Sequence, residues 1–169
     1  MKMETSGPDW GKFDNCLHRL VGFDFCGMND DVGEYIVNST KERFQKGIDP
    51  DGNAWKKSKR ADEEGGKTLQ DTRTLYNSFT YRATMEGVEV GTNVKYAPVH
   101  QGIDRNGNQV SEIIIVPKQA RLLAFTVCGK KVFAKKVVEP ARPFMGINDA
   151  DANEIMNIGQ EWIQEATRK

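Results

Sequence analysis

At 169 residues the chain has the length of one domain, and 38% apolar against 28% charged side chains supports one modest core and excludes a disordered segment. Its 24 basic and 24 acidic side chains cancel, which argues against a broad grip on nucleic acid, since such footprints carry a positive excess. No apolar run approaches the roughly 20 residues of a membrane crossing, so no membrane partner is expected.

The polar start MKMETSGPDW has no apolar signal core. Residues 8–26 then carry a helix signal, with Pro8 suited to a first turn and Trp10, Phe13, Leu17, Leu20 and Val21 at helical spacing. A second helix is predicted over about 30–46. Val32, Ile36, Thr40 and Phe44 form its apolar stripe, Asp31 and Glu34 resemble a capping box, and Gly47 stands at the C-cap. From Ile48 to Gly66 no hydrophobic period survives, and the reading is an exposed loop anchored by Trp55. A short helix near Thr72–Asn77 leads into alternating residues from Phe79 to Ala83 and from Val88 to Val90, a hairpin turning at Met85-Glu86-Gly87. After a turn at the Asn106-Gly107 pair, Ile113–Val116 form a β-branched run. A second hairpin joins Leu122–Val127 to Val132–Val138 across Cys128-Gly129-Lys130-Lys131. Ile155, Ile158, Gly159, Trp162 and Ala166 share one face of a closing helix that starts at Asn148 and Asp149 and ends near Arg168.

Helices, then strands, then a helix, without βαβ alternation, predict an α+β fold. The expectation is one antiparallel sheet of about four to five strands with helices packed on one side, N-terminal helices and a C-terminal helix. Residues 1–169 read as one domain, with 1–28 as a helical extension, 29–169 as the core and a lysine-rich hairpin at about 118–138. No internal repeat is read.

Several fragments imitate functional signatures. Gly65-Gly66-Lys67-Thr68 resembles the end of a P-loop, but Ala61 replaces the first glycine and charged residues replace the preceding strand. Asp49, Asp51 and Asn53 alternate like calcium ligands, yet Ala54 and Arg60 occupy the positions of the EF-hand glycine and glutamate, so Asp49-Pro50-Asp51-Gly52 reads as a β-turn. Cys16, Cys26 and Cys128 form no CxxC pair, which leaves reduced, partly buried thiols in a cytoplasmic protein. His18 and His100 lie in no local catalytic signature, so an enzyme built on Cys128 or His100 is disfavoured and no cofactor or metal is expected. One charge asymmetry remains. Between Pro117 and Pro143, Lys118, Arg121, Lys130, Lys131, Lys135, Lys136 and Arg142 face the single acid Glu139. This is either a solvated hairpin whose lysines discourage edge pairing, or an arm that docks an acidic surface, a neighbouring subunit or passing DNA.

Three stretches in fixed order, RFQKGIDPDGNAWK (Arg43–Lys56), YAPVHQG (Tyr96–Gly102) and PARPFMGI (Pro140–Ile147), with TLYNSFTYR between the first two, resemble the phage virion morphogenesis family, the tail completion proteins of Mu-like and related bacteriophages. The resemblance spans about residues 30–165. It implies a noncatalytic component that finishes the tail and joins it to the head, found in the virion and, during assembly, in the host cytoplasm. It also implies self-association into a ring, commonly sixfold in related proteins, against the tail tube or a head connector, with DNA nearby in the lumen. The N-terminal helix and the long lysine-rich 103–139 segment depart from the usual pattern. On this reading Trp55, Tyr96, His100, Gln101, Arg142 and Phe144 are expected at a subunit or partner interface, and Lys130, Lys131, Lys135 and Lys136 at an acidic partner. For the proline-flanked strip carrying Arg142 and Phe144, a plain tie between the sheet and the last helix is the equal alternative.

Overall fold

The computed structural model describes residues 21–118, 120–127 and 129–168, together with Gly11, Asn15 and His18. Those three and Val21 are helical, whereas Gly22 turns and Phe23 and Asp24 are non-helical, so the helical signal over 8–26 is interrupted there. Trp10, Phe13, Leu17 and Leu20 lie outside the described residues, as do Cys16 and Cys128.

The central element is α1 (Phe25–Lys46). It starts ahead of the predicted capping box, because the carboxylate of Asp24 accepts from the Gly27 N–H at 2.9 Å and satisfies one of the orphan donors of the first turn. It stops where predicted. Gly47 takes φ +71° and donates to Arg43 O at 2.7 Å, a left-handed cap that glycine adopts without steric cost. Val32, Thr40 and Phe44 of the predicted stripe are buried.

A short α2 (Lys59–Glu64) lies within the stretch read as an exposed loop. Six residues are too few to show a hydrophobic period, but Ser58 caps the turn by accepting from Ala61 N, and Ala61 is buried. Then come α3 (Thr74–Asn77), β1 (Phe79–Ala83), β2 (Val88–Thr92) and α4 (Ala97–Gln101). The remaining elements are β3 (Glu112–Ile115), β4 (Leu123–Val127), β5 (Lys130–Ala134), β6 (Val137–Pro140) and α5 (Asp149–Arg168).

The α+β class holds, with a different distribution of strands. Among the described residues six strands form three antiparallel pairs, β1–β2, β3–β6 and β4–β5, in place of one sheet. β1–β2 packs on one side of α1 and α5 on the other, so the closing helix covers α1 and not a sheet face. The β1–β2 side comes close because Gly33 lacks a side chain, and the Tyr81 ring occupies the space where a Cβ would be. On the other side Trp162 donates to Asp31 at 2.7 Å. α5 begins with a reciprocal cap, Asp151 N–H to Asn148 Oδ1 at 2.8 Å and Asn148 N–H to Asp151 Oδ2 at 3.0 Å, the capping-box pattern with aspartate in place of glutamate.

Contrary to the sequence reading, the chain does contain a short repeat. Gly-Ile-Asp-x-x-Gly-Asn occurs at 47–53 and again at 102–108, each time at the end of a helix. The two copies fold alike. Asp49 N–H reaches Asn53 O at 2.9 Å and Asp104 N–H reaches Asn108 O at 3.0 Å. Asp49 Oδ1 accepts from Asn53 N at 2.8 Å, and Asp104 Oδ1 from Asn108 N at 2.9 Å. Trp55 N–H closes onto Gly47 O at 2.8 Å and Val110 N–H onto Gly102 O at 2.7 Å. The repeat escapes a search for periods because the motif is short and occurs only at Gly47 and Gly102, with unrelated sequence between.

Candidate functional site

The three stretches that carry the family resemblance are distant in sequence and meet in one place. Phe44 stands at the centre, with ring centroids of Trp55 at 5.2 Å, Phe144 at 5.2 Å and Phe79 at 5.5 Å. Trp55 donates its indole N–H to Pro143 O at 2.8 Å. The prolines at 140 and 143 keep the intervening chain extended, and its backbone groups therefore need partners from elsewhere. They find them in the other two stretches. Gln101 Oε1 accepts from Phe144 N and Met145 N, both at 3.1 Å, while its Nε2 donates to Met145 O at 2.7 Å. Arg142 N–H donates to His100 O at 2.6 Å.

Two arginines lock this knot. Arg142, 3% exposed, donates to Lys56 O at 2.7 Å and to the carboxylate of Glu139. Arg43, 5% exposed, donates to Gly146 O at 2.7 Å and forms an ion pair with Asp151. Asp151 also accepts from Ser39 Oγ at 2.6 Å and Tyr35 OH at 3.2 Å. Burial pushes the Asp151 carboxyl upward. The Asn148 N–H, the Ser39 hydroxyl, the Arg43 charge and the Tyr35 hydroxyl outweigh it and hold the group below its ordinary 3.8.

Trp55, Arg142 and Phe144 were expected at a subunit surface, and here the expectation is corrected. Phe144 is 1% and Trp55 8% exposed within the chain itself, so neither has surface left for a partner. The tie between the sheet and the last helix is the reading that stands for the strip. Gln101 is half-buried and spends its amide on that strip. Tyr96 is exposed, its ring edge-on to His100 at 5.7 Å, and the two border an open depression of about 260 Å³ with Arg60 and Asp71. His100 Nδ1 makes no hydrogen bond and lies 4.0 Å from Glu139 Oε1. Burial lowers its pKa, Glu139 opposes that, and the Arg142 charge adds to it. Glu139 is committed to Arg142, so the His100–Glu139 approach is no hydrogen-bonded acid–base relay.

Lys130, Lys131, Lys135 and Lys136 are exposed on β4–β5 and its exit, away from the knot. Sequence reading missed what stands among them. Ile114, Val116, Leu122, Phe125, Phe133 and Val138 are exposed too, and no described residue from Ser111 to Ala141 is buried. The apolar residues are plain in the sequence, but their presence in a strand does not tell whether anything covers them.

A second open cleft, of about 660 Å³, lies between α1 and the start of α5, bordered by Tyr35, Glu42, Lys46, Pro50, Asp51 and Asp149. Asp49 in that turn accepts from Asn53 with both carboxylate oxygens, through the Asn53 backbone N–H and side-chain amide. Among the described residues, no group of three or more His, Cys, Asp or Glu side chains is arranged to hold a metal ion. Cys26 is exposed and unpaired by disulfide, not partly buried as expected. No helix among them is long and apolar enough to cross a membrane.

Comparison with known proteins gives one family: residues 9–164 match the model of the phage virion morphogenesis family. No curated protein and no solved structure matches.

Proposed function

Because this chain belongs to the phage virion morphogenesis family, we propose that it is a noncatalytic tail-completion component that closes the end of the tail as a ring and meets the head there. Its partners on this reading are further copies of itself and the tail tube or a head connector. The observation that carries the proposal is the use made of the three diagnostic stretches. Their arginines, glutamine and aromatics are consumed in holding one another, through Arg43–Asp151, Arg142–Glu139 and Gln101 on the Phe144 backbone. A reaction centre needs such groups aimed at a substrate. A subunit that must keep its shape while bearing load from neighbours needs them as internal bracing. Tyr96, exposed at the rim of the knot, is the side chain of the expected set best placed to touch a neighbour.

The experiment is a phage from which the gene is deleted, complemented in trans. Unjoined heads and tails, with tails of uneven length, are the expected particles. Normal infectious virions, or loss of infectivity with fully joined particles, would refute the tail-end role.

A further inference from the structure

The two copies of the Gly-Ile-Asp-x-x-Gly-Asn turn differ in one chemically important position. The chain holds a single Asn-Gly pair, Asn106-Gly107, and a single Asp-Gly pair, Asp51-Gly52, and these occupy the same place in the two copies. They are the dipeptides in which a backbone nitrogen most readily attacks the side chain before it. Glycine brings no Cβ to block that approach and swings through conformations closed to other residues. The two glycines share a backbone, φ +86° at Gly52 and φ +84° at Gly107. Each donates its N–H to the aspartate that opens the turn, Gly52 to Asp49 O at 3.0 Å and Gly107 to Asp104 O at 3.1 Å.

What holds each copy to the rest of the chain is different. In the first, Asn148 donates to Pro50 O at 2.8 Å, and the Pro50 ring stands where a Cβ on Gly146 would be. Proline also fixes the backbone one residue ahead of Asp51. In the second copy Arg105, Asn106 and Gly107 are all exposed, and a Cβ on Gly107 would meet nothing. Among the described residues, no hydrogen bond joins 105–107 to a segment outside the turn. The order of this copy rests on Asp104. Its Oδ1 accepts from Asn106 N at 2.8 Å and Asn108 N at 2.9 Å, and its Oδ2 from Asn108 Nδ2 at 3.2 Å. The Asn106 carboxamide enters none of these bonds.

We propose that Asn106 is a site of spontaneous deamidation whose rate Asp104 sets. The nitrogen of Gly107 adds to Cγ of Asn106. An N–Cγ bond forms, the Cγ–Nδ2 bond breaks, and the side-chain nitrogen leaves as ammonia with the proton given up by Gly107. Water then opens the cyclic imide. Attack at Cγ gives aspartate, and attack at the main-chain carbonyl carbon gives isoaspartate, whose backbone runs through Cγ. Nothing is oxidised or reduced, and water is the sole co-reactant. To attack, Gly107 N must leave Asp104 O, and the bonds from Asn106 and Asn108 to the Asp104 carboxylate oppose that movement. The aspartate product is one this turn already houses, since Asp51 holds the same place in the first copy. The isoaspartate product lengthens the main chain inside the loop that Asp104 N–H closes on Asn108 O.

Peptide mass spectrometry of the aged full-length protein tests this. The folded chain is held at mildly alkaline pH, which favours the deprotonated Gly107 nitrogen, then digested under mildly acidic conditions beside a zero-time control. Exchange of the amide nitrogen for oxygen is expected at Asn106 before any other asparagine, as aspartate and isoaspartate together, with Asp51 not yet isomerised. On anion exchange the aged acidic species that carries aspartate should elute with Asn106→Asp. Asp104→Ala should speed the conversion several-fold, and Asp104→Asn, which keeps an Oδ1 acceptor, should fall between it and the wild type. Because Asp104→Ala could unfold the chain, the wild type is also aged in guanidinium chloride, where conversion should again be several-fold faster than in the folded protein. An Asn106 that persists while other asparagines react overturns the site. Equal rates in Asp104→Ala and wild type, or in denaturant and native buffer, overturn the control by Asp104. Isomerisation of Asp51 as fast as conversion of Asn106 overturns the distinction between the tied copy and the free one.

Discussion

Replacing Asp151 by Asn removes one negative charge from the most heavily shared side chain among the described residues. Its carboxylate accepts from Asn148 N, Ser39 and Tyr35 and pairs with Arg43. The partner cannot escape to water, since the Arg43 side chain is 6% exposed and held also by Gly146 O. Removing one member of a buried pair strands the other, which costs about 3–5 kcal/mol. Against a total stability of about 5–15 kcal/mol this is about a fifth of the whole or more. In urea, with a slope of about 2 kcal/mol per M, the unfolding midpoint should fall by roughly 2 M at unchanged slope. pH gives an independent check. A carboxyl held below its ordinary value contributes its stability in full above the unfolded pKa of 3.8 and loses it as pH falls through the lower folded value. The wild type should therefore lose stability on acidification below about pH 4, and Asp151→Asn should lose less over the same window. The cycle with Arg43→Met should show the double variant well short of the sum of the singles, since the two residues interact directly. A midpoint shift equivalent to less than about 1 kcal/mol, the size expected of an exposed pair, would refute the bracing role assigned to this pair.

The turn glycines should differ. Gly102 has φ +79°, and a Cβ there would meet Val110 O at 2.5 Å, whereas Gly107 at φ +84° faces open space. Gly102→Ala should thus exceed Gly107→Ala in cost by about 1–3 kcal/mol in urea unfolding, the overpacking increment on top of shared backbone strain. Thr40 is 1% exposed and its hydroxyl has no hydrogen-bond partner, so Thr40→Val should raise stability by about 1 kcal/mol, read as a higher melting temperature. His100, whose burial depresses its pKa, should withdraw stability as pH falls from its unfolded value of 6.5, because the unfolded chain binds the proton first. His100→Gln should flatten that part of the stability profile.

Much of the fold was legible because it is written locally. The stripe ending in Phe44, the glycine at 47, the hairpin from Phe79 and the Asn148 start of α5 each depend on neighbours within a few turns. The misplacements have a common cause. Trp55 and Pro143, or Arg43 and Asp151, meet across most of the chain. An arginine and a phenylalanine in a proline-flanked strip satisfy the composition of an interface and that of a buried tie equally well. Only the fold shows that the cover for Phe144 comes from Phe44 and Phe79 of the same chain. At Phe125 and Phe133 the sequence reading attended to the lysines alone, and the structure leaves both aromatic rings exposed beside them.

The duplicated turn behaves as an interchangeable part. At its first occurrence the residue that closes it is Trp55, which drives the chain inward beneath Phe44. At the second it is Val110, and the chain leaves for β3. Direction is therefore carried by the closing residue and the segment after it, not by the turn. Evolution or a protein engineer could transplant the intervening Asp-to-Asn segment from one position to the other and keep both trajectories, while exchanging Trp55 for valine would empty the aromatic centre around Phe44.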